Sequence, residues 1–251
     1  MALEYERLTV GTEGPVCRIT LGDPDAGNAL DDSMRQELLQ ALLGAQADDA
    51  VRVVLITGAG DNFCPGVPEG EVRALREAGS GFERVRPLLD EGRRIISLID
   101  EFPKPVVAAI NGPAHGEGAA VALACDLRIA HPEATLSLDF VRRAMAPAWG
   151  TSSTLARLAG EGVALDLLWT GRVVGAEEAL TLGLVERVSG SLREAVESVC
   201  SALASTEPEL LHLTRLAIQS GRTCDLSQSL DLETEIQHRS WSGSRQGGAR
   251  G

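Results

Sequence analysis

The sequence is poor in lysine, in aromatic side chains and in positive charge. Lys104 is the single lysine among 23 basic residues, and aromatic residues make up 3% of the 251 positions. The 36 acidic residues outnumber the basic ones and give a formal net charge of -13 at pH 7. Because a nucleic-acid backbone is repelled by such a charge, we expect no nucleic-acid partner.

Long apolar runs and paired cysteines are also missing. Apolar runs such as residues 106–110 and 119–125 are far shorter than the roughly 20 residues that a membrane helix needs. No apolar leader opens the sequence, so we expect a cytoplasmic protein with no membrane partner. The five cysteines are scattered, odd in number and never spaced as a metal or dithiol pair, which predicts reduced thiols and no metal site.

The common nucleotide and hydrolase motifs are absent. Gly58 and Gly60 follow a predicted strand, but the third position of a dinucleotide-binding fingerprint is Phe63 and no helix opens on the turn. No phosphate-binding Gly-rich lysine loop, nucleophile elbow or zinc-protease motif occurs in the sequence. The four histidines do not cluster with ligand spacing.

The hydrophobic pattern predicts an α/β protein. A hairpin is expected over residues 5–21, a helix capped by Asp31 or Asp32, buried strands over 51–57 and 106–110, and a helix over 82–101. The remainder is mainly helical. We expect a core over residues 1–195, a helical region over 196–241 and a disordered Gly, Ser and Arg-rich tail over 242–251.

Two glycine-bearing turns follow the two buried strands directly. They span residues 62–67 (NFCPGV) and 111–118 (NGPAHGEG). Glycine tolerates backbone conformations that aim N–H groups at a ligand instead of at a neighbouring strand. Two such donors that converge on one oxygen form an oxyanion hole. Each turn by itself is also typical of an ordinary chain reversal.

A series of motifs in order along the chain resembles the enoyl-CoA hydratase/isomerase (crotonase) superfamily. They are residues 28–30 (NAL), 53–58 (VVLITG), 63–66 (FCPG), 104–114 (KPVVAAINGPA), 122–130 (ALACDLRIA), 155–160 (LARLAG), 169–171 (WTG) and 176–185 (AEEALTLGLV). The resemblance implies a spiral of ββα units followed by a C-terminal helical region. It also implies that residues 196–241 assemble the chain into a trimer or a dimer of trimers.

The resemblance further implies that the ligand is an acyl-CoA thioester, with no cofactor beyond the coenzyme A of the substrate. Its carbonyl oxygen would lie between the backbone N–H groups of Val67 and Glu117, which would stabilise an enolate. This requires the two N–H groups to converge and to have no internal acceptor. The positions expected to contact coenzyme A or the acyl group are Asn28, Ala29, Leu30, Cys64, Pro65, Gly66, Gly116, Ala120, Phe140, Pro147 and Trp149.

The sequence departs from the family at the acid and base positions. The two glutamates of the hydratases fall on Ala120 and Phe140, and an alternative carboxylate of isomerase-like members falls on Ala148. Ordinary hydration is therefore not expected, because acid–base assistance contributes about 10²- to 10⁴-fold per group. Phe140, Pro147 and Trp149 would suit a bulky acyl group, although core packing explains them equally well.

Three other residues could transfer protons in place of the missing carboxylates. Glu117 is either a relocated general base or a solvated or salt-bridged carboxylate at a helix start, where the dipole favours its ionised form. Asp139 is either a base or a helix cap, and His115 could carry a proton near neutral pH. Two functions stay open: an enzyme of enolate chemistry such as isomerisation, dehydration or C–C cleavage, and a non-catalytic acyl-CoA-binding subunit with the same fold.

Overall fold

The structure, a computed structural model, describes residues 5–22, 27–77 and 81–247. The chain divides into two compact units after Cys200, slightly beyond the boundary predicted after residue 195. Among the described residues the strands are β1 Leu8–Glu13, β2 Val16–Leu21, β3 Val53–Gly58, β4 Val106–Ile110, β5 Ala114–His115, β6 Leu127–Ala130, β7 Thr135–Ser137, β8 Val173–Gly175 and β9 Arg187–Val188.

The strands of the first unit form two sheets. In the described part of the chain, the larger sheet has the order β1, β2, β3, β4, β6, β9, and the smaller has the order β5, β7, β8. The β1–β2 hairpin is antiparallel, and β2, β3, β4, β6 and β9 run parallel to one another. Such parallel strands are covered on both faces, and every residue of β4 is buried. The turns after β3 and β4 therefore emerge side by side.

Helices connect and cover these strands. Their bounds are α1 Asp32–Ala47, α2 Glu69–Glu77, α3 Arg86–Asp100, α4 Gly116–Ala124, α5 Thr151–Ala159, α6 Glu161–Thr170, α7 Ala176–Thr181, α8 Leu192–Ser205, α9 Pro208–Ser220 and α10 Leu226–Gly247. Asp31 caps α1 as predicted, since its carboxylate accepts the Met34 N–H at 2.8 Å. The helix predicted over 82–101 is instead a 3₁₀ turn at Phe82–Arg84 followed by α3, with a proline near the start of α3.

The second unit contains α9 and α10. An ion pair between Arg239 Nε and Glu209 Oε1, 3.6 Å apart, links these two helices. Helix α10 extends to Gly247, and the disordered tail over residues 242–251 stays a prediction. Residues 248–251 lie outside the described part of the chain. Trimerisation through residues 196–241 stays a prediction.

The core of the first unit is dense around α4. All nine residues of this Ala- and Gly-rich helix are buried, which allows it to pack closely between neighbouring elements. The side chains of Phe63, Phe102 and Phe140 are fully buried as well. This packing fixes the start of α4, where the second predicted oxyanion donor lies.

Membrane-spanning helices and metal-binding clusters are absent from the described residues. Within 5–22, 27–77 and 81–247, no helix combines the length and apolar character that crossing a bilayer requires. The described ranges contain no group of three or more His, Cys, Asp or Glu side chains placed to hold a metal ion. The five cysteines are free thiols.

Gly92 provides a test of the packing between α3 and the segment that carries Trp149. A Cβ at Gly92 would lie 2.1 Å from the Trp149 indole. We expect Gly92→Ala to lower the free energy of unfolding by about 1–3 kcal/mol through overpacking, measured by urea denaturation.

Gly44→Ala is the matched control for this substitution. Gly44 lies in α1, and a Cβ there meets nothing within 4 Å, so helix propensity alone predicts a gain of roughly 0.5–1 kcal/mol. A gain of stability in both variants would contradict the close contact at Gly92.

Candidate active site

Backbone hydrogen bonds hold the two predicted turns against each other. The Pro113 carbonyl accepts the N–H groups of Phe63 and Cys64, both at 3.1 Å, and the His115 N–H donates to the Cys64 carbonyl at 2.9 Å. Cys64 and Ala114 also pair as an isolated parallel bridge. These contacts continue the pairing of β3 with β4 past the strand ends. They bring the segment 64–67 to the N-terminus of α4.

Gly66 makes this close approach possible. Its φ of +88° lies in a region that side chains disfavour, and an added Cβ would lie 2.7 Å from Glu117 Oε2 and 2.9 Å from the Glu117 backbone nitrogen. The Glu117 N–H belongs to the first turn of α4, where N–H groups have no intrahelical acceptor. The Gly66 backbone thus lies directly against the second predicted donor.

The Glu117 side chain folds back onto the other predicted donor. Glu117 Oε2 accepts the Val67 N–H at 3.1 Å and also lies 3.1 Å from Arg143 Nη2. The Glu117 side chain is 1% exposed. The prediction that both N–H groups lack an internal acceptor is therefore wrong for Val67, whose acceptor is a carboxylate. These contacts agree with the interpretation of Glu117 as a salt-bridged carboxylate, rather than a solvated one.

Asp139 and Arg143 form the outer part of the same cluster. Arg143 Nε lies 3.3 Å from Asp139 Oδ1, and the side chains are 15% and 30% exposed respectively. The guanidinium also lies over the Phe140 ring, 5.4 Å from its centroid. Asp139 begins a 3₁₀ turn whose N-cap, Leu138, makes no side-chain capping bond. The alternative role of Asp139 as a helix cap is thus not observed.

A cleft of about 370 Å³ opens beside this cluster. It brings together six of the predicted site residues, Ala29, Pro65, Gly66, Val67, His115 and Asp139. Three further residues, Pro68, Glu69 and Arg143, complete the lining and were missed in the sequence. A signal for Arg143 existed, since it follows Asp139 by four residues and such a pair suits an ion pair on one helical face.

The cleft lining does not include Phe140, Pro147 or Trp149, which were predicted to contact the acyl group. Phe140 is fully buried, and Trp149, 6% exposed, packs on Gly92. Pro147 is exposed but does not line the cleft. The 3₁₀ turn buries Phe140 and leaves Asp139, one of the residues predicted to transfer protons, in the lining of the cleft.

Other residues predicted to contact coenzyme A or the acyl group are buried, and some of them hold the turn after β3 in place. Asn28 is fully buried, and its amide donates to the carbonyls of Ala59 and Asn62 at 2.9 and 2.8 Å. The Leu30 N–H donates to the Gly66 carbonyl at 2.9 Å. These bonds order the turn after β3. The remaining predicted positions Leu30, Cys64, Gly116 and Ala120 are buried as well.

Burial shifts the pKa of two titratable groups beside this turn, Cys64 and His115. It raises the pKa of the Cys64 thiol to about 12, with the charge of Glu117 adding to the effect and a bond from the Gly66 N–H opposing it. Cys64 is therefore a neutral packing thiol. Burial lowers the pKa of His115 below its ordinary value, and the negative charge of Asp139 partly opposes this. The ring Nε2 lies 3.4 Å from Thr135 Oγ1.

Comparison with known proteins identifies the family. The sequence profile of the enoyl-CoA hydratase/isomerase family matches residues 11–249. The chain belongs to the enoyl-CoA hydratase/isomerase family. It is similar to the short-chain-enoyl-CoA hydratase of Clostridium acetobutylicum, with 30% identity over 93% of this chain and 88% of that protein. It is also similar to the 1,2-epoxyphenylacetyl-CoA isomerase of Escherichia coli, with 34% identity over 90% and 86% respectively.

The fold matches solved structures of the same family. A crystal structure of an enoyl-CoA hydratase from Bacillus anthracis superposes with a TM-score of 0.86 and 34% identity, covering 93% of this chain and 90% of that one. The crotonase fold predicted from the motifs is thereby confirmed. The site of this family member differs from the sequence expectation in one important respect: two carboxylates and an arginine meet where an open pair of donors was expected.

The coupling of His115 to Asp139 can be measured by titration. We expect the His115 ring in the folded protein to titrate below the ordinary histidine pKa of about 6.5, and lower still in Asp139→Asn, because the carboxylate favours the imidazolium. The unfolded chain then binds a proton that the native chain does not, so stability falls as the pH drops from about 6.5 through the folded pKa. Histidine ring NMR signals report both variants, and an unchanged midpoint in Asp139→Asn would contradict the coupling.

Proposed function

We propose that this protein is an acyl-CoA enzyme in which Asp139 transfers a proton while backbone N–H groups hold the thioester oxygen. The observation that carries the proposal is the position of Asp139. Asp139, whose side chain is 30% exposed, lines the cleft together with Val67, Gly66 and His115. Membership of the family supports a thioester of coenzyme A as the ligand.

The proposed step is the formation and collapse of an enolate. An Asp139 oxygen takes a proton from the carbon next to the thioester carbonyl. The electron pair of that C–H bond forms the enolate double bond, and negative charge develops on the carbonyl oxygen. The Glu117 N–H stabilises this charge, together with the Val67 N–H once its bond to Glu117 Oε2 is released. Asp139 then gives a proton to another carbon of an unsaturated acyl chain, which completes an isomerisation without net consumption of water. Exchange of the proton on Asp139 with solvent during the lifetime of the enolate carries solvent hydrogen into the acyl group.

The composition of the site favours isomerisation over hydration. Adding water requires one group that activates the water and another that protonates carbon. Ala120 and Ala148 offer no such group, and the Glu117 carboxylate is buried in its pair with Arg143. The Glu69 carboxylate, which also lines the cleft, pairs with Arg73 at 3.1 Å. A single carboxylate can remove and return one proton. The name of the E. coli relative, an isomerase, agrees with this chemistry, whereas the C. acetobutylicum relative is named a hydratase.

A non-catalytic acyl-CoA-binding subunit is the second candidate. The observation that favours it is the occupied Val67 N–H, which donates to Glu117 Oε2 at 3.1 Å. A site closed in this way could bind the coenzyme A part of a thioester without activating its acyl group. The two candidates differ in whether the carbon next to the carbonyl exchanges its proton with solvent.

Deuterium exchange distinguishes the two candidates. Wild-type protein is incubated in D₂O with saturated, enoyl and aryl CoA thioesters, and deuterium in the acyl group is followed by mass spectrometry. We expect incorporation with the wild-type protein and a rate about 10²- to 10⁴-fold lower for Asp139→Asn, because the proton acceptor is lost.

Asp166→Asn is the matched control for this experiment. Asp166 also pairs with an arginine, Arg172, at 2.8 Å, but it does not line the cleft, so exchange should stay at the wild-type rate. Exchange at that rate in Asp139→Asn would remove Asp139 from the mechanism. Thioester binding by the wild-type protein with no exchange would favour the non-catalytic subunit.

A further inference from the structure

One oxygen of Glu117 lies where two donors of different kinds meet. Val67 N–H and Arg143 Nη2 both reach Glu117 Oε2 at 3.1 Å. A carboxylate oxygen that accepts a backbone N–H bond and a guanidinium bond has the charge of an enolate oxygen in an oxyanion hole. The side chain of Glu117 thus resembles the reactive part of the proposed intermediate.

We propose that Glu117 Oε2 marks the position that the thioester oxygen takes, that the Glu117 carboxylate leaves it when substrate binds, and that Arg143 then becomes a third, charged donor to the thioester oxygen. The inference rests on the proposed function for the identity of the ligand. It makes Arg143 a catalytic residue in addition to the two backbone N–H groups.

Arg143 has contacts that hold it in place without Glu117. Its Nε lies 3.3 Å from Asp139 Oδ1, and its guanidinium lies over the Phe140 ring. It packs so closely on Gly116 that a Cβ there would lie 2.3 Å from Nη2. When the carboxylate of Glu117 leaves, the guanidinium therefore remains directed at the vacated position.

The exchange of acceptors favours the transition state over the bound substrate. A neutral thioester carbonyl competes poorly with a carboxylate for a charged donor, because bonds between ionised partners are the stronger ones. An enolate oxygen carries most of the negative charge of the enolate and competes well. Displacement of Glu117 therefore weakens binding of the neutral substrate, and the lost interaction is regained as charge develops on the thioester oxygen. The enzyme then binds the transition state more tightly than the substrate, which is the condition for accelerating the reaction.

Acetate can test this anion site without any thioester. In Glu117→Ala the carboxylate is missing, so free acetate should occupy the position between Val67 N–H and Arg143. We expect acetate to shift the Val67 amide signal of ¹⁵N-valine-labelled Glu117→Ala protein. In the wild-type protein the attached carboxylate already fills the position, so no shift is expected. In Glu117→Ala/Arg143→Gln we expect binding at least about tenfold weaker, as loss of a charged donor implies.

Glu186→Ala is the matched control, because Glu186 also pairs with a buried arginine, Arg128, but away from the cleft. Acetate should leave its Val67 signal unchanged.

Circular dichroism checks folding, and Glu117→Ser replaces the alanine variant if that protein is unfolded. If acetate does not shift the Val67 signal of a folded Glu117 variant, the inference is overturned. It is also overturned if acetate binds equally well to that variant with and without Arg143→Gln. Acetate binding without any deuterium exchange of thioesters in the wild-type protein overturns the proposed function alone.

Discussion

The architecture of the site depends on the parallel pairing of β3 with β4. Because both strands point the same way and are buried, their following turns leave the sheet at the same edge. The pairing continues from Cys64 to Ala114, where Pro113 and Cys64 carbonyls accept N–H groups of the opposite turn. This continuation of the pairing holds Val67 next to the first turn of α4.

Within this frame, one arginine and two carboxylates take the place of an open oxyanion hole. Arg143 joins Glu117 to Asp139, and one oxygen of Glu117 joins Arg143 to the Val67 N–H. Breaking a buried ion pair leaves an uncompensated charge, so the closed arrangement is stable until another oxygen replaces that of Glu117. The chain keeps the fold of its family, but one predicted oxyanion donor, the Val67 N–H, donates to the Glu117 carboxylate.

Much of the fold was accessible from local pattern. The buried strands, the two glycine turns and the cap at Asp31 follow from hydrophobicity, glycine placement and side-chain chemistry over a few residues. The sequence placed both Asp139 and Phe140 at the site, but adjacent residues of a 3₁₀ turn point in different directions. Which of the two faces the cleft depends on the path of the backbone, which buries Phe140 and leaves Asp139 accessible.

The sequence by itself determined the family, the order of the elements and the two segments that meet at the site, because these depend on motifs and on short-range periodicity. Only the tertiary structure decided what occupies the site. The reversal of the Glu117 side chain onto Val67, and the placement of Arg143 between two carboxylates, involve partners 50 and 26 residues apart in the chain. Electrostatic attraction selects such partners only after folding has brought them within reach.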